Sequence, residues 1–150
     1  EIYTLSLHDA LPIWKMAKTF ILKILTPSKM VVNEEVEKVF VNTINGMVEF
    51  LPNHAPIIMS TVPSVTVFYD KVGNKKELFT SRGVINLSNN EIMFCSDAAE
   101  LVEDIDLARA EEAKGRAEER LKDSSKFDVA RAQAALIRAN IRIGLKKHSI

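Results

Sequence analysis

At Asp104 the sequence changes its period, and that change decides most of what the chain can become. From Ile105 to Asp123 there is no proline, and Ala, Glu, Lys and Arg, all strong helix formers, dominate. A second run of the same kind spans Phe127 to Leu145. Between them Asp123-Ser124-Ser125-Lys126 is a polar break carrying N-capping residue types. Apolar residues recur at threes and fours: Ala110, Ala113, Ala117 and Leu121 on the first run, Ala132, Leu136, Ala139 and Ile143 on the second. The spacing predicts an antiparallel two-helix hairpin over residues 104–150, each arm on the order of 27 Å long. Its seam is mostly alanine. A buried methylene contributes about 0.8 kcal/mol, so such arms gain little by pairing and separate at low cost.

Before Asp104 the pattern is β. Phe20 to Leu25 is a short apolar run ended by Thr26-Pro27-Ser28, and Val36, Val39 and Val41 give another. Asn45-Gly46 favours positive φ, the signal of a turn. Val65 to Tyr69 is β-branched and aromatic, and Gly73-Asn74 turns it toward Glu77 to Ser81. Val84 to Leu87 and Ile92 to Cys95 flank the polar turn Ser88-Asn89-Asn90. Short strands at this spacing predict a β-sandwich or flattened barrel over residues 16–103. The fold class is therefore β + α, an N-terminal sandwich followed by the C-terminal hairpin.

Residues 1–15 share no pattern with the rest of the chain. Met16 opens an ordinary N-terminus, so the preceding stretch reads as extraneous; a short helix from Ser6 to Trp14 is the competing reading. The first residues also lack the basic region of a signal peptide. The formal net charge is zero, which gives no reason to expect nucleic acid as a partner. Locally the charge is uneven. Residues 97–112 carry Asp97, Glu100, Glu103, Asp104, Asp106, Glu111 and Glu112 against Arg109 alone, and no acid follows Asp128. No apolar stretch approaches the roughly 18 residues of a membrane span. Cys95 is the single cysteine, which excludes an intrachain disulfide, fits a reducing compartment and reads as a small buried hydrophobe.

Catalytic and metal chemistry find no support. The glycines are scattered, with no phosphate-cradling loop before a Lys-Ser or Lys-Thr pair. His8, His54 and His148 lie far apart and cannot complete a zinc site with Cys95. The acids of 97–112 are first of all helix-start charges. These observations predict a protein that is not an enzyme and binds no metal.

Two motifs carry a resemblance. Leu51-Pro52-Asn53-His54-Ala55-Pro56 resembles the Leu-Pro-[Gly/Asn]-His-Ala-Pro signature of the epsilon subunits of bacterial F-type ATP synthases. Asp97-Ala98-Ala99-Glu100 with Glu103-Asp104-Ile105-Asp106 resembles that family's junction between sandwich and hairpin, and the similarity runs from Met16 to about Leu145. Glu49 and Arg82 depart from glycine-rich positions of the family. The resemblance implies a regulatory, non-catalytic rotor part of a proton-translocating complex, peripheral on the cytoplasmic face of the bacterial plasma membrane. Its implied partners are the gamma subunit, the ring of c subunits and, with the hairpin extended, the catalytic beta subunits. Leu51, Pro52, His54 and Pro56 are implied in partner binding. The basic second helix suits an acidic surface; alternatively, its bases neutralise the acidic first helix. The runner-up reading is a free-standing nucleotide sensor or adaptor of the same architecture.

No cofactor is required, but the resemblance implies ATP as a regulatory ligand. Ile105-Asp106-Leu107-Ala108-Arg109-Ala110 matches the family's Ile/Leu-Asp-x-x-Arg-Ala nucleotide motif, with Glu100 before it and Arg116, Arg138 and Arg142 at the matching helix positions. Arg109 and Arg116 are two turns apart on one helix, Arg138 and Arg142 one turn apart on the other. Converging guanidiniums suit a triphosphate, which accepts bidentate hydrogen bonds. The competing expectation is that Asp106, Glu112 and Glu119 neutralise them within the hairpin.

Overall fold

The computed structural model describes residues 17–149 apart from Ser124. The expectations for residues 1–15 lie outside the described residues.

Strict alternation builds the β part. In β1 (Phe20–Leu25), Phe20, Leu22 and Ile24 point inward while their neighbours are half-buried. The chain continues through β2 (Met30–Thr43), β3 (Gly46–Phe50), β4 (Ile57–Thr61), β5 (Ser64–Asp70), β6 (Lys75–Thr80), β7 (Gly83–Ser88), β8 (Glu91–Ser96) and β9 (Ala99–Leu101). These strands lie in the order β4-β7-β8-β1-β2-β5-β6-β9, with β3 added on β2. The β1–β8 pair is parallel, with Leu22 opposite Ile92 and Leu25 opposite Cys95. The long β2 ties the structure together: its first half pairs with β1, its second with β3 and β5. Register shifts near Leu25 and between Val36 and Lys38 mark bulges, which bend a strand and let the sheet close over itself. Between the two faces lies a core that includes Phe50, Phe68, Phe94, Leu22, Ile24 and Leu78. The result is the expected β-sandwich.

Three strands escaped the sequence pattern. β4 reads Ile-Ile-Met and does not alternate visibly, because it pairs only with β7 and leaves Ile58 71% exposed. β3 buries only Phe50 fully, and β9 has three residues. Cys95 corrects an expectation. It is exposed, since Ile92, Phe94 and Ser96 take the inward positions of β8 and the period of two sends Cys95 out.

The helices form with shifted ends. α1 runs Leu107–Lys122 because Asp106 is its N-cap, accepting the backbone N–H of Arg109 at 3.1 Å. α2 runs Val129–His148, capped not from the 123–126 break but by Asp128, which accepts the N–H of Arg131 at 3.2 Å. Ala110, Ala117, Ala132 and Ala139 are buried between the arms, and Leu121, Leu136 and Ile143 are only half-buried. The alanine seam thus forms as expected. A second apolar cluster holds the hairpin down. Phe79 alternates with Leu78 and so points out of the sandwich, yet it is fully buried because Ile105 and Leu145 cover it. Val65, Val102 and Ile141 extend that contact.

Candidate functional site

The end of β8 runs through Asp97-Ala98 into β9, then a 3-10 turn at Val102–Asp104, and then the Asp106 cap of α1. This short path fixes the base of the hairpin against the sandwich edge. Ile105 is consumed by the core beneath it. Asp106 faces outward as cap, and Ala110 packs in the seam one turn later. α2 returns antiparallel and brings Arg142 over β6 and β9. Its Nε donates to an oxygen of Glu100 at 2.9 Å, and one terminal nitrogen stands 2.8 Å from the same oxygen as an ion pair. The same guanidinium lies 4.0 Å from the ring centroid of Phe79. Cation–π contact and a charge-assisted hydrogen bond reinforce each other in this partly desolvated place.

Beside this anchor is a cavity of about 420 Å³. Its carboxylates are Glu100, Asp104 and Asp106, and its cations are Lys29, Arg109, Arg116 and Arg142. Ala99, Ala110 and Ala113 give it small-residue walls, so the alanine seam also leaves room for a ligand. The volume falls in the range of roughly 300–1,000 Å³ typical of small-molecule sites. Two of the four cations already have carboxylate partners. Arg142 holds Glu100, and Arg116 makes a long contact of 3.8 Å to Glu112 with both side chains mostly exposed, a pair of small worth. Of the hairpin acids expected to neutralise the arginines, Asp106, Glu112 and Glu119, only Glu112 forms an ion pair among the described residues.

Arg138 departs from the expected set. It lines a neighbouring recess with Arg82, Asp97 and Arg131, whereas Arg142, one turn further along α2, reaches both spaces. The cause is the antiparallel course of α2. Arg142 crosses β9 beside the base of α1, while Arg138 sits over the Asp97-Ala98 turn. Lys29, Asp104 and Phe79 were not foreseen. A lysine after Thr-Pro-Ser carries no local signal, and Phe79 looked like any other strand residue.

The Leu51–Pro56 loop lies at the opposite end of β1, about 20 Å away by strand rise. Asn53 adopts φ 64°, which an asparagine tolerates better than most residues. Its backbone N–H donates to Asn90 Oδ1 at 2.9 Å, and its Nδ2 donates to the Ala17 carbonyl at 2.7 Å. Asn90 Nδ2 in turn donates to the Thr19 carbonyl at 2.8 Å. His54 donates from Nδ1 to the Ala55 carbonyl at 2.6 Å and meets the Phe50 ring edge-on. The loop is thus braced, and it presents Leu51, His54 and Pro56 to solvent while Pro52 is half-buried. On the outer face of the adjoining strands, Ile58, Val84, Met93 and Cys95 are exposed, with Val84 directly opposite Cys95.

Comparison with known proteins identifies the family of the chain. The family model for the ATP synthase delta/epsilon chain β-sandwich domain matches residues 19–102, and that for its long α-helix domain matches residues 103–147. An ATP synthase epsilon chain of Clostridium botulinum (strain Alaska E43 / Type E3) is 46% identical over 132 residues, covering 88% of this chain and 98% of its own. That of Clostridium novyi (strain NT) is 44% identical over 128 residues, covering 85% and 98%. The chain belongs to the ATP synthase epsilon-chain family. An epsilon chain is a non-catalytic stalk subunit, so ATP synthesis and proton transport are reactions of the complex rather than of this subunit. In fold it also resembles a chain of the Euglena gracilis mitochondrial ATP synthase (OSCP/F1/c-ring, rotational state 1), with TM-score 0.69, 18% identity and coverage of 94% of this chain and 88% of that one. Among the described residues no helix is long and apolar enough to cross a membrane, and no cluster of His, Cys, Asp or Glu could hold a metal ion.

Proposed function

We propose that this epsilon-family chain regulates its complex by moving its hairpin between a docked and an extended position, and that ATP holds it docked. The observation that carries the reading is the cavity between α1 and the sandwich edge. Arg109 and Arg116 from α1, Arg142 from α2 and Glu100 from β9 meet there only while the hairpin lies on the sandwich. A ligand bound only in that arrangement shifts the balance toward it, by about 2.7 kcal/mol at 100 times its dissociation constant.

The sandwich is the docking part in this reading, with the gamma subunit and the c-ring as partners. The exposed Ile58, Val84 and Met93 give it an apolar face, and the braced Leu51–Pro56 loop gives it a rigid end. Released, α2 offers Arg131, Arg138, Arg142, Lys146 and Lys147 with no acid of its own, which suits an acidic surface on the catalytic beta subunits. The chain then works as a peripheral protein on the cytoplasmic face of the plasma membrane. Truncation after Asp104 tests the division of labour. Assembly and coupled synthesis should persist while inhibition of ATP hydrolysis disappears. Loss of assembly would instead place the partner contact on the helices.

A further inference from the structure

Lys29 belongs to the sandwich, yet it lines the same cavity as the arginines of α1. Topology brings it there. β1 runs parallel to β8 with Leu25 opposite Cys95, so the turn after β1 and the path out of β8 emerge at one end of the sandwich. That path leads directly to Glu100 and the base of α1. The turn itself is firmly built. Thr26 N–H donates to the Lys29 carbonyl at 2.9 Å, and Lys29 N–H donates to Thr26 Oγ1 at 3.2 Å. Pro27 stiffens it further. The lysine backbone is therefore placed, and its exposed side chain is left to reach into the cavity.

Among the described residues nothing claims the ammonium. Glu100 is held by Arg142, and Asp106 accepts the N–H of Arg109. Asp104 makes no ion pair with Lys29, and among the described residues no carboxylate forms an ion pair with it. A cation on a fixed turn beside Arg109 and Arg116, without a protein partner, is suited to an anionic ligand.

Resting on the nucleotide reading above, we infer that Lys29 is a specificity-determining residue of this site: its ammonium binds the β- and γ-phosphates of ATP and favours the triphosphate over the monophosphate. Because Lys29 rides on the sandwich and Arg109 and Arg116 on α1, the phosphates then join the two parts directly. The nucleotide clamps the hairpin to the sandwich, beyond drawing the two helices together. As a compact, flexible donor, lysine contributes charge more than fixed geometry, so arginine should replace it and glutamine should not.

The test is calorimetric titration of the full chain with ATP and with AMP, comparing wild type, Lys29→Gln and Lys29→Arg. Because Lys29 is exposed, all three should share one thermal midpoint. Lys29→Gln should weaken ATP binding about tenfold or more, as expected for loss of a charge-assisted contact. It should leave AMP binding nearly unchanged, and Lys29→Arg should restore ATP binding. If Lys29→Gln binds ATP as wild type does, or loses AMP affinity to the same extent, the inference is overturned while the nucleotide site stands. If wild type binds neither nucleotide at millimolar concentration, the site reading falls and the inference with it.

Discussion

Arg142 donates a hydrogen bond from Nε to a carboxylate oxygen of Glu100 at 2.9 Å, with a terminal nitrogen paired to the same oxygen at 2.8 Å, and thereby fastens the second helix to the last strand of the sandwich. The two residues are 42 positions apart in the chain, and their side chains are 21% and 32% exposed. Both face the candidate nucleotide cavity, so the anchor of the docked hairpin is also a wall of the ligand site.

Breaking that anchor should loosen the hairpin and spare the sandwich. Glu100→Gln removes the charge from one partner, at a cost of about 1–3 kcal/mol to docking. Arg142→Ala also removes the cation over Phe79 and should cost more. Limited proteolysis in the loop around residue 126 reports the loosening directly. Cleavage should accelerate in both variants, more in Arg142→Ala, while residues 17–101 resist as before. Equal cleavage rates in wild type and both variants would mean that the apolar cluster and the Lys146 bond to the Val102 carbonyl hold the hairpin without the Arg142–Glu100 pair.

Two glycines should respond oppositely to alanine. A Cβ at Gly83 would collide with the carbonyl oxygen of Cys95 and stand 2.9 Å from both the Phe94 ring and the Ser96 Cα. Gly83→Ala should therefore destabilise the sandwich by about 1–3 kcal/mol, the usual cost of overpacking. A Cβ at Gly115, within α1, meets nothing within 4 Å. Gly115→Ala should stabilise that helix by about 1 kcal/mol. Denaturant titration followed by circular dichroism measures both.

The turn between β5 and β6 supplies a pH dependence. Asp70 accepts the backbone N–H groups of Asn74 and Val72, each at 2.9 Å, and the Asn74 bond is the main cause that holds its pKa below the ordinary 3.8. A depressed folded pKa contributes stability that is present above the ordinary value and is lost as pH falls through the folded one. Asp70→Ala should thus be less stable than wild type at about pH 7, and the gap should narrow as the pH falls below the ordinary carboxylate value toward the lowered one. A gap that stays constant across the titration would assign the turn's stability to backbone geometry instead.

What could be read from the sequence was what is local and repeated. The alanine seam and the break after Asp123 specified the hairpin, and the short apolar runs Phe20–Leu25 and Ile92–Cys95 between turn residues specified strands. The apolar run misled where one residue decides: Cys95 belonged to the outward set of the alternating strand. Phe79 shows the converse. Its outward position should expose it, and only docking of Ile105 and Leu145 buries it, a fact of tertiary packing that no strand pattern contains. The candidate site divides the same way. Asp106, Arg109 and Arg116 lie on one helix with fixed spacing, so their convergence was foreseeable. Lys29 joins them through the parallel β1–β8 pairing, and Arg138 leaves them because the course of α2 over the sandwich gives it another recess.

ATP stabilising the docked hairpin is the central claim. Hydrogen–deuterium exchange of the full chain with and without millimolar ATP tests it most directly, read peptide by peptide. Exchange should slow across α1, α2 and the β6 segment around Phe79, stay unchanged in the Leu51–Pro56 loop at the far end, and lose its response to ATP in Arg109→Ala. Exchange in the hairpin that is indifferent to ATP, or a protection that survives in Arg109→Ala, would contradict it.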